Sequence, residues 1–399
     1  MKRVILSTIV ISALLFTSCS SDDEPVNSVK APATYKFERE GSSTVSFSGQ
    51  TTRIKMATEL ITALKNSAKT EADLDNMFAH TEGATNFSDA TLNASSKNVR
   101  SKTAASTDFY SANTTEANEI KSQFDAWIKE QVDVVYPNWN TDAVAGTAGK
   151  IQENGGGATR YVNGKGVELN QIFAKSLIGG LMVDQMLNNY LGTAVLDAGS
   201  NVANNDKEVV EEGKNYTTME HKWDEAYGYL YGNEANPAEP ALEADNFLNE
   251  YLAKVNSDTD FAGIAEDIYN AFKLGRAAIV ANNYEVRNEQ AEIIREKISD
   301  VIAIRAVYYL QQGKNSWATD KAASFHAISE GLGFIYSLQF TRKSNTKEAY
   351  FTMAEVEGLL QDLIGTGNGL WEDTTPTTLD TVSKAIAAKF NFTVIEAGS

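Results

Sequence analysis

The sequence predicts an all-α protein built as two related helical bundles behind a short irregular or β N-terminal segment. Three observations predict it. Only six prolines occur in 399 residues, so long stretches run free of helix breakers. Apolar residues recur at spacings of three and four through most of the chain, the mark of amphipathic helices. Finally, one pattern appears twice: His221, Glu225, Gly228, Tyr229, Leu230 and Tyr231 fall on His326, Glu330, Gly333, Phe334, Ile335 and Tyr336. The chain holds three histidines, so two at matched positions argue for a duplicated unit. Amphipathic helices cannot bury their stripes alone, and packing as bundles is the natural solution.

The expected organisation is a leader over 1–18, an acidic tether over 19–33, N-terminal helices and loops over 34–165, and helical repeats over 166–281 and 282–399. Lys2-Arg3, the uncharged run Val4–Phe16 and Thr17-Ser18-Cys19 have a signal-peptide layout, with an apolar core too short to span a bilayer. Cys19 is the sole cysteine, so no internal disulfide forms. Phe16-Thr17-Ser18-Cys19 resembles a bacterial lipobox, which implies cleavage before Cys19 and its acylation. The acidic run Ser20–Glu24 looks like the signal that sends Bacteroidetes lipoproteins to the cell surface; read plainly, it is a flexible tether. A formal charge of −18 repels phosphate backbones, so nucleic acid is not an expected partner.

Along the chain, Tyr35–Arg39 and Thr44–Ser48 alternate around Gly41 as a hairpin would. Ile54, Ala57, Leu60, Ile61 and Leu64 mark a helix from Arg53. Thr70, with Glu71 and Asp73 after it, caps a second helix through Phe78. His80 is expected in a solvated turn near Gly83, and 81–114 as loop. Thr114 or Thr115 caps a helix carrying Ile120, Phe124, Trp127, Ile128 and Val132, ended by Pro137. The glycine-dense stretch 141–166, with Gly155–Gly157 and Arg160, reads as a mobile connector or as an anion-binding loop, though it lacks the Gly-Lys-Ser/Thr of a P-loop.

Glu168–Leu191 is a long apolar helix whose stripe of Leu177, Leu181, Asp184, Asn188 and Leu191 buries a carboxylate, which therefore needs a partner. Its counterpart is Gln290–Gln312, where Arg305 stands eight residues before Gly313 as Asp184 stands eight before Gly192. Asp184 and Arg305 either meet across a pseudo-twofold axis or each reach local polar groups. The first motif helix is capped by Thr217 or Thr218. Further helices are expected near 242–255, 260–281, 288–312, 317–340, 352–364 and 378–390, with a loop at Gly365–Pro376.

Each motif sets an imidazole beside a carboxylate one turn on. His221 has Asp224 and Glu225 at the next turn, an N/O set with which helical bundles hold a divalent or iron ion. His326 has Glu330 but Ser329 at the third position, a poorer set. The plain reading is a hydrogen-bonded His–Glu pair inside a bundle, with the glycines serving close packing. A zinc peptidase would show His-Glu-x-x-His, which is absent, as is any Ser-His-Asp or Cys-His arrangement.

Thr159–Asn163, Asp184–Tyr190, Glu220–Gly232 and Ala291–Gly313 resemble an uncharacterised Bacteroidetes lipoprotein family classed as a domain of unknown function. More distantly the chain is similar to the imelysin family, helical duplications with a G-x-H-x-x-E motif. The match lands on His221 and Asp224, with Met219 in place of the glycine and Asp in place of Glu. The resemblance implies a surface-exposed outer-membrane lipoprotein that binds a metal ion or metal-bearing ligand in envelope uptake, beside an outer-membrane transporter or envelope complex. The alternatives are a non-enzymatic scaffold subunit docked on such a complex and a metal-dependent peptidase. The expected site residues are His221, Asp224, Glu225, His326 and Glu330 for metal, Asp184, Arg305 and Arg160 for binding, and Cys19 for lipidation.

Overall fold

The computed structural model describes residues 29–399; the leader, Cys19 and Ser20–Glu24 lie outside them. The described chain is all-α, with two small antiparallel hairpins. In the N-terminal third, β1 (Glu38–Arg39) and β2 (Ser42–Ser43) pair across Glu40-Gly41, and α1 (Ser48–Ala63), α2 (Glu71–Phe78), α3 (Ala90–Asn93), α4 (Thr107–Tyr110) and α5 (Thr114–Glu130) follow. A second hairpin, β3 (Gly149–Gln152) with β4 (Thr159–Val162), precedes α6 (Leu169–Leu177). The remainder is α7 (Thr193–Leu196), α8 (Asn201–Asp206), α9 (Thr218–Tyr231), α10 (Leu248–Ser257), α11 (Ile264–Val280), α12 (Tyr284–Ser316), α13 (Lys321–Ser337), α14 (Met353–Ile364), α15 (Pro376–Ala387) and α16 (Val394–Gly398).

Local chemistry sets several of these boundaries. Thr70 and Asp73 form a reciprocal capping box at α2, and Thr217 with Glu220 does the same at α9, each box satisfying two N–H groups a helix start leaves bare. Asn113, rather than Thr114 or Thr115, caps α5. The stretch 141–166 is an ordered hairpin, because Gly146, Gly155, Gly156 and Gly166 supply the positive φ that its turns require. His80 is buried, not solvated: Nδ1 lies 2.6 Å from Asn86 Oδ1 and the ring meets the edge of Phe87.

α12 and α13 form the centre. Val301–Val307 of α12 is buried on every face, so the amphipathic pattern fades there as burial becomes complete. α11 packs on α12, and α6 packs on α13. Glycines make the tightest crossings. A Cβ on Gly275 of α11 would lie 2.1 Å from the Trp223 ring of α9, and one on Gly313 of α12 would lie 2.4 Å from Ile328 of α13. The two motif helices are crossed alike: a Cβ on Gly228 would strike Phe47 and Gln50 at α1, and one on Gly333 would strike Lys175 and the Ile172 carbonyl of α6. The partners that correspond are thus α1 with α9 and α6 with α13, not the helices at 168–191 and 290–312. α6, placed by sequence in the first repeat, packs on the motif helix of the second.

Beyond α6 the backbone widens into two π-helical segments, Ile178–Val183 and Met186–Tyr190. Gly179 faces Ser337 there, donating its N–H to the hydroxyl at 3.1 Å. Among the described residues no helix is long and apolar enough to cross a membrane.

Candidate functional site

At the first motif the three expected ligands diverge. His221 and Glu225 share a face, with Nε2 4.0 Å from Oε2. Asp224 turns away, because consecutive helical residues lie about 100° apart. Its carboxylate is fully buried between Arg276 Nε at 3.1 Å, the Tyr35 hydroxyl at 2.7 Å and the Ser46 N–H at 3.2 Å. Arg276 also holds Glu220 at 3.1 Å, and Arg39 pairs with Glu220 at 3.0 Å. Burial pushes the Asp224 carboxyl up to about 6 while Arg276 pulls it down, and a guanidinium does not shed its proton. This network, with Tyr35 stacked on Tyr227 at 3.6 Å, fastens the N-terminal hairpin to α9 and α11. Asp224 is a fastening residue.

His221 donates from Nδ1 to the Ser46 carbonyl at 3.0 Å and stacks on Tyr216. Burial, with Lys222 adding to it, lowers its pKa. Glu225 accepts from Lys222 at 2.6 Å and from Gln50 at 3.1 Å. Burial works to raise this carboxyl, but Lys222, His221 and Gln50 together hold the pKa below its ordinary value.

The second motif opens onto a cleft of about 430 Å³. The His326 ring lies between two carboxylates, with Nδ1 3.2 Å from Glu168 Oε1 and Nε2 3.6 Å from Glu330 Oε2. Lys175, from α6, reaches Glu330 Oε1 at 3.2 Å. Burial opposes ionisation of Glu330, yet Lys175, His326 and Lys254 together lower its pKa. Tyr251 of α10 forms a wall, with the ammoniums of Lys175 and Lys254 each 5.0 Å from its ring. Arg160 lines the same cleft from β4, held by Glu153 at 2.7 Å through Nε. Lys65, just past the end of α1, stands at the rim, exposed. The first motif has a related arrangement: Lys102 and Lys222 lie 5.9 and 5.6 Å from the Tyr190 ring.

Asp184 and Arg305 do not meet. Asp184 Oδ2 accepts from the Ala105 and Ser106 N–H groups at 2.9 and 3.0 Å, and burial pushes its carboxyl up to about 6. The two residues sit on elements that do not correspond across the duplication, so their shared distance from a glycine sets no common position. Arg305 instead lies against Tyr308, Tyr309 and Tyr251, with its guanidinium carbon 3.9, 4.6 and 5.5 Å from the ring centroids.

A bare metal ion does not fit either motif. Glu225 and Glu330 each already accept from a lysine, Asp224 is committed to Arg276, and among the described residues no three His, Cys, Asp or Glu side chains are arranged to hold one ion. The sequence reading missed Lys175, Lys254, Tyr251 and Glu168. Lys175 had a signal: it is the only charge between Glu168 and Asp184 in an apolar run. Cys19 lies outside the described residues.

Residues 32–393 match the family model described as Domain of unknown function (DUF4856), and the chain belongs to that family. No curated protein and no solved structure matches it.

Proposed function

We propose that this chain is a non-catalytic binding protein of the cell envelope that holds a small anionic ligand, one that carries its metal inside an anionic chelate, in the cleft at His326 and Glu330. The observation that supports this reading is the charge of the cleft. Lys65, Arg160, Lys175 and Lys254 line it; Arg160, Lys175 and Lys254 are paired with Glu153, Glu330 and Glu250, while Lys65 at the rim makes no ion pair among the described residues, on a chain of formal charge −18. An unpaired ammonium beside three paired cations repels a free cation and attracts an anion. The aromatic wall of Tyr251 and the half-buried imidazole supply the apolar and hydrogen-bonding surfaces that orient a small molecule. Anchoring through an acylated Cys19, on the outer membrane and facing outward beside a transporter, is part of the same proposal.

The test is calorimetric titration of the full chain, in non-ionic detergent, with citrate and with ferric citrate. Both should bind, more weakly as salt rises. The double variant Lys65→Gln/Arg160→Gln should lose about tenfold, the factor that 1.4 kcal/mol makes. Absence of binding by either probe would favour the scaffold reading. In cells, Cys19→Ser should move the protein out of the membrane fraction; retention there would overturn the anchoring.

A further inference from the structure

We infer that Arg305 is the anchor of an oxyanion subsite in a second cavity, adjoining the cleft at His326. Six arginines are buried among the described residues: Arg53, Arg276, Arg287, Arg295, Arg305 and Arg342. Five have acceptors. Arg276 holds Glu220 and Asp224, Arg287 holds Asp197, Arg342 holds Asp108, Arg295 holds Glu292 and two carbonyls, and Arg53 holds the carbonyls of Asn98 and Gly49. Arg305 is 6% exposed and has neither an ion pair nor a hydrogen bond among the described residues; its Nε is buried without a partner. A guanidinium carries five donors, and removing it from water without acceptors is costly. The tyrosine faces recover part of that cost through the ring quadrupole but accept none of the N–H groups in its plane.

The guanidinium opens on a cavity of about 560 Å³, lined also by Lys254, Ser257, Thr259, Tyr308 and Tyr309. Asp258 lines it too, but its carboxylate accepts from the Ser399 hydroxyl at 3.3 Å and makes no ion pair with Arg305. A planar fork held between aromatic rings, with a lysine and two hydroxyls nearby, fits the carboxylate or phosphate of a small organic anion, which a guanidinium binds through two parallel hydrogen bonds. Lys254 and Tyr309 line both cavities, so the subsite deepens the reading given above and rests on it for the ligand's class.

The experiment titrates the full chain with citrate and with inorganic phosphate, following heat and the ¹⁵N resonance of the Arg305 Nε–H. That resonance should move on binding. Arg305→Gln should weaken binding of the probe about tenfold or more, and Arg305→Lys, which keeps charge but not the fork, should fall between it and the parent. Citrate alone binding marks a carboxylate subsite; phosphate alone binding marks a phosphate subsite. Binding lost in Arg305→Gln but kept in Lys65→Gln/Arg160→Gln supports the subsite and removes the cleft reading. The reverse overturns the subsite alone. Arg305→Leu without ligand separates a binding role from a structural one: an unpartnered buried cation replaced by an apolar side chain should raise the melting temperature. A lower melting temperature, or an Nε–H resonance unmoved by both probes, would overturn the inference.

Discussion

Asp184→Asn offers the sharpest test of how this interior handles charge. In the parent, burial raises the carboxyl from 3.8 to about 6. At 1.36 kcal/mol per unit, ionising it inside the fold costs about 3 kcal/mol relative to the unfolded chain. The folded state binds the extra proton between those two values, so this group's stabilisation is complete below 3.8 and is lost as pH rises through 6. The variant removes that dependence at little expense in hydrogen bonds. The Ala105 and Ser106 N–H groups both use Oδ2, and a carboxamide oxygen can keep both. The Ser106 hydroxyl and the Asn188 side chain act on the carboxyl directly, and the oxygen of each can accept from the new NH₂. The variant should be more stable than the parent by roughly 1 to 3 kcal/mol at pH 7.5, the gap closing toward pH 4.5. Urea denaturation of both proteins at the two pH values measures this. A loss of about 3 kcal/mol or more at pH 7.5 would signal a broken ion pair and refute the reasoning, as would parallel pH dependence of the two proteins.

Two further substitutions probe the crossings and the fastening network. Gly333→Ala places a methyl 2.5 Å from Lys175 Cβ and 2.8 Å from the Ile172 carbonyl; overpacking should cost about 1 to 3 kcal/mol, partly offset by up to about 1 kcal/mol of helix propensity. Gly358→Ala, where nothing lies within 4 Å, is the control, and equal melting temperatures for the two variants would refute the close crossing. Arg276→Leu leaves Asp224 and Glu220 buried without their shared cation and should cost about 3 to 5 kcal/mol near neutral pH. The loss should shrink toward pH 4.5, as protonation of Asp224 removes its buried charge, and a loss indifferent to pH in urea denaturation would count against the network.

The helices were legible because their signals are local. Thr70 and Thr217 announced their caps, and the three-and-four spacing of Ile54, Ala57, Leu60, Ile61 and Leu64 held without help from the rest of the fold. The hairpin over 141–166 was hidden, since glycines that permit turns look the same in sequence as glycines in a mobile connector. His80 was hidden too: only the fold brings Asn86 and Phe87 around it. The site was half legible. Arg160, Arg305, His326 and Glu330 do line adjoining cavities, but Lys254 and Tyr251 come from a helix with no motif. The pairing of Asp184 with Arg305 failed because a count back from a glycine fixes position along a helix and says nothing about which helix lies opposite.

The repeated motif marks a crossing before it marks any chemistry. Gly228 and Gly333 admit another helix at the same point, and each crossing element delivers a side chain to the motif glutamate. At α9 that side chain is the neutral Gln50, while Glu225 takes its cation from Lys222 on its own helix. At α13 it is the cation Lys175, carried in by a buried helix. The backbone geometry is common to both copies because it depends only on a missing Cβ, whereas the polar partner depends on whichever residue the crossing helix presents. Two copies of one pattern therefore give a glutamate paired within its own helix at His221 and one paired across the crossing, beside a cleft, at His326, and the difference between them lies in the neighbours rather than in the motif.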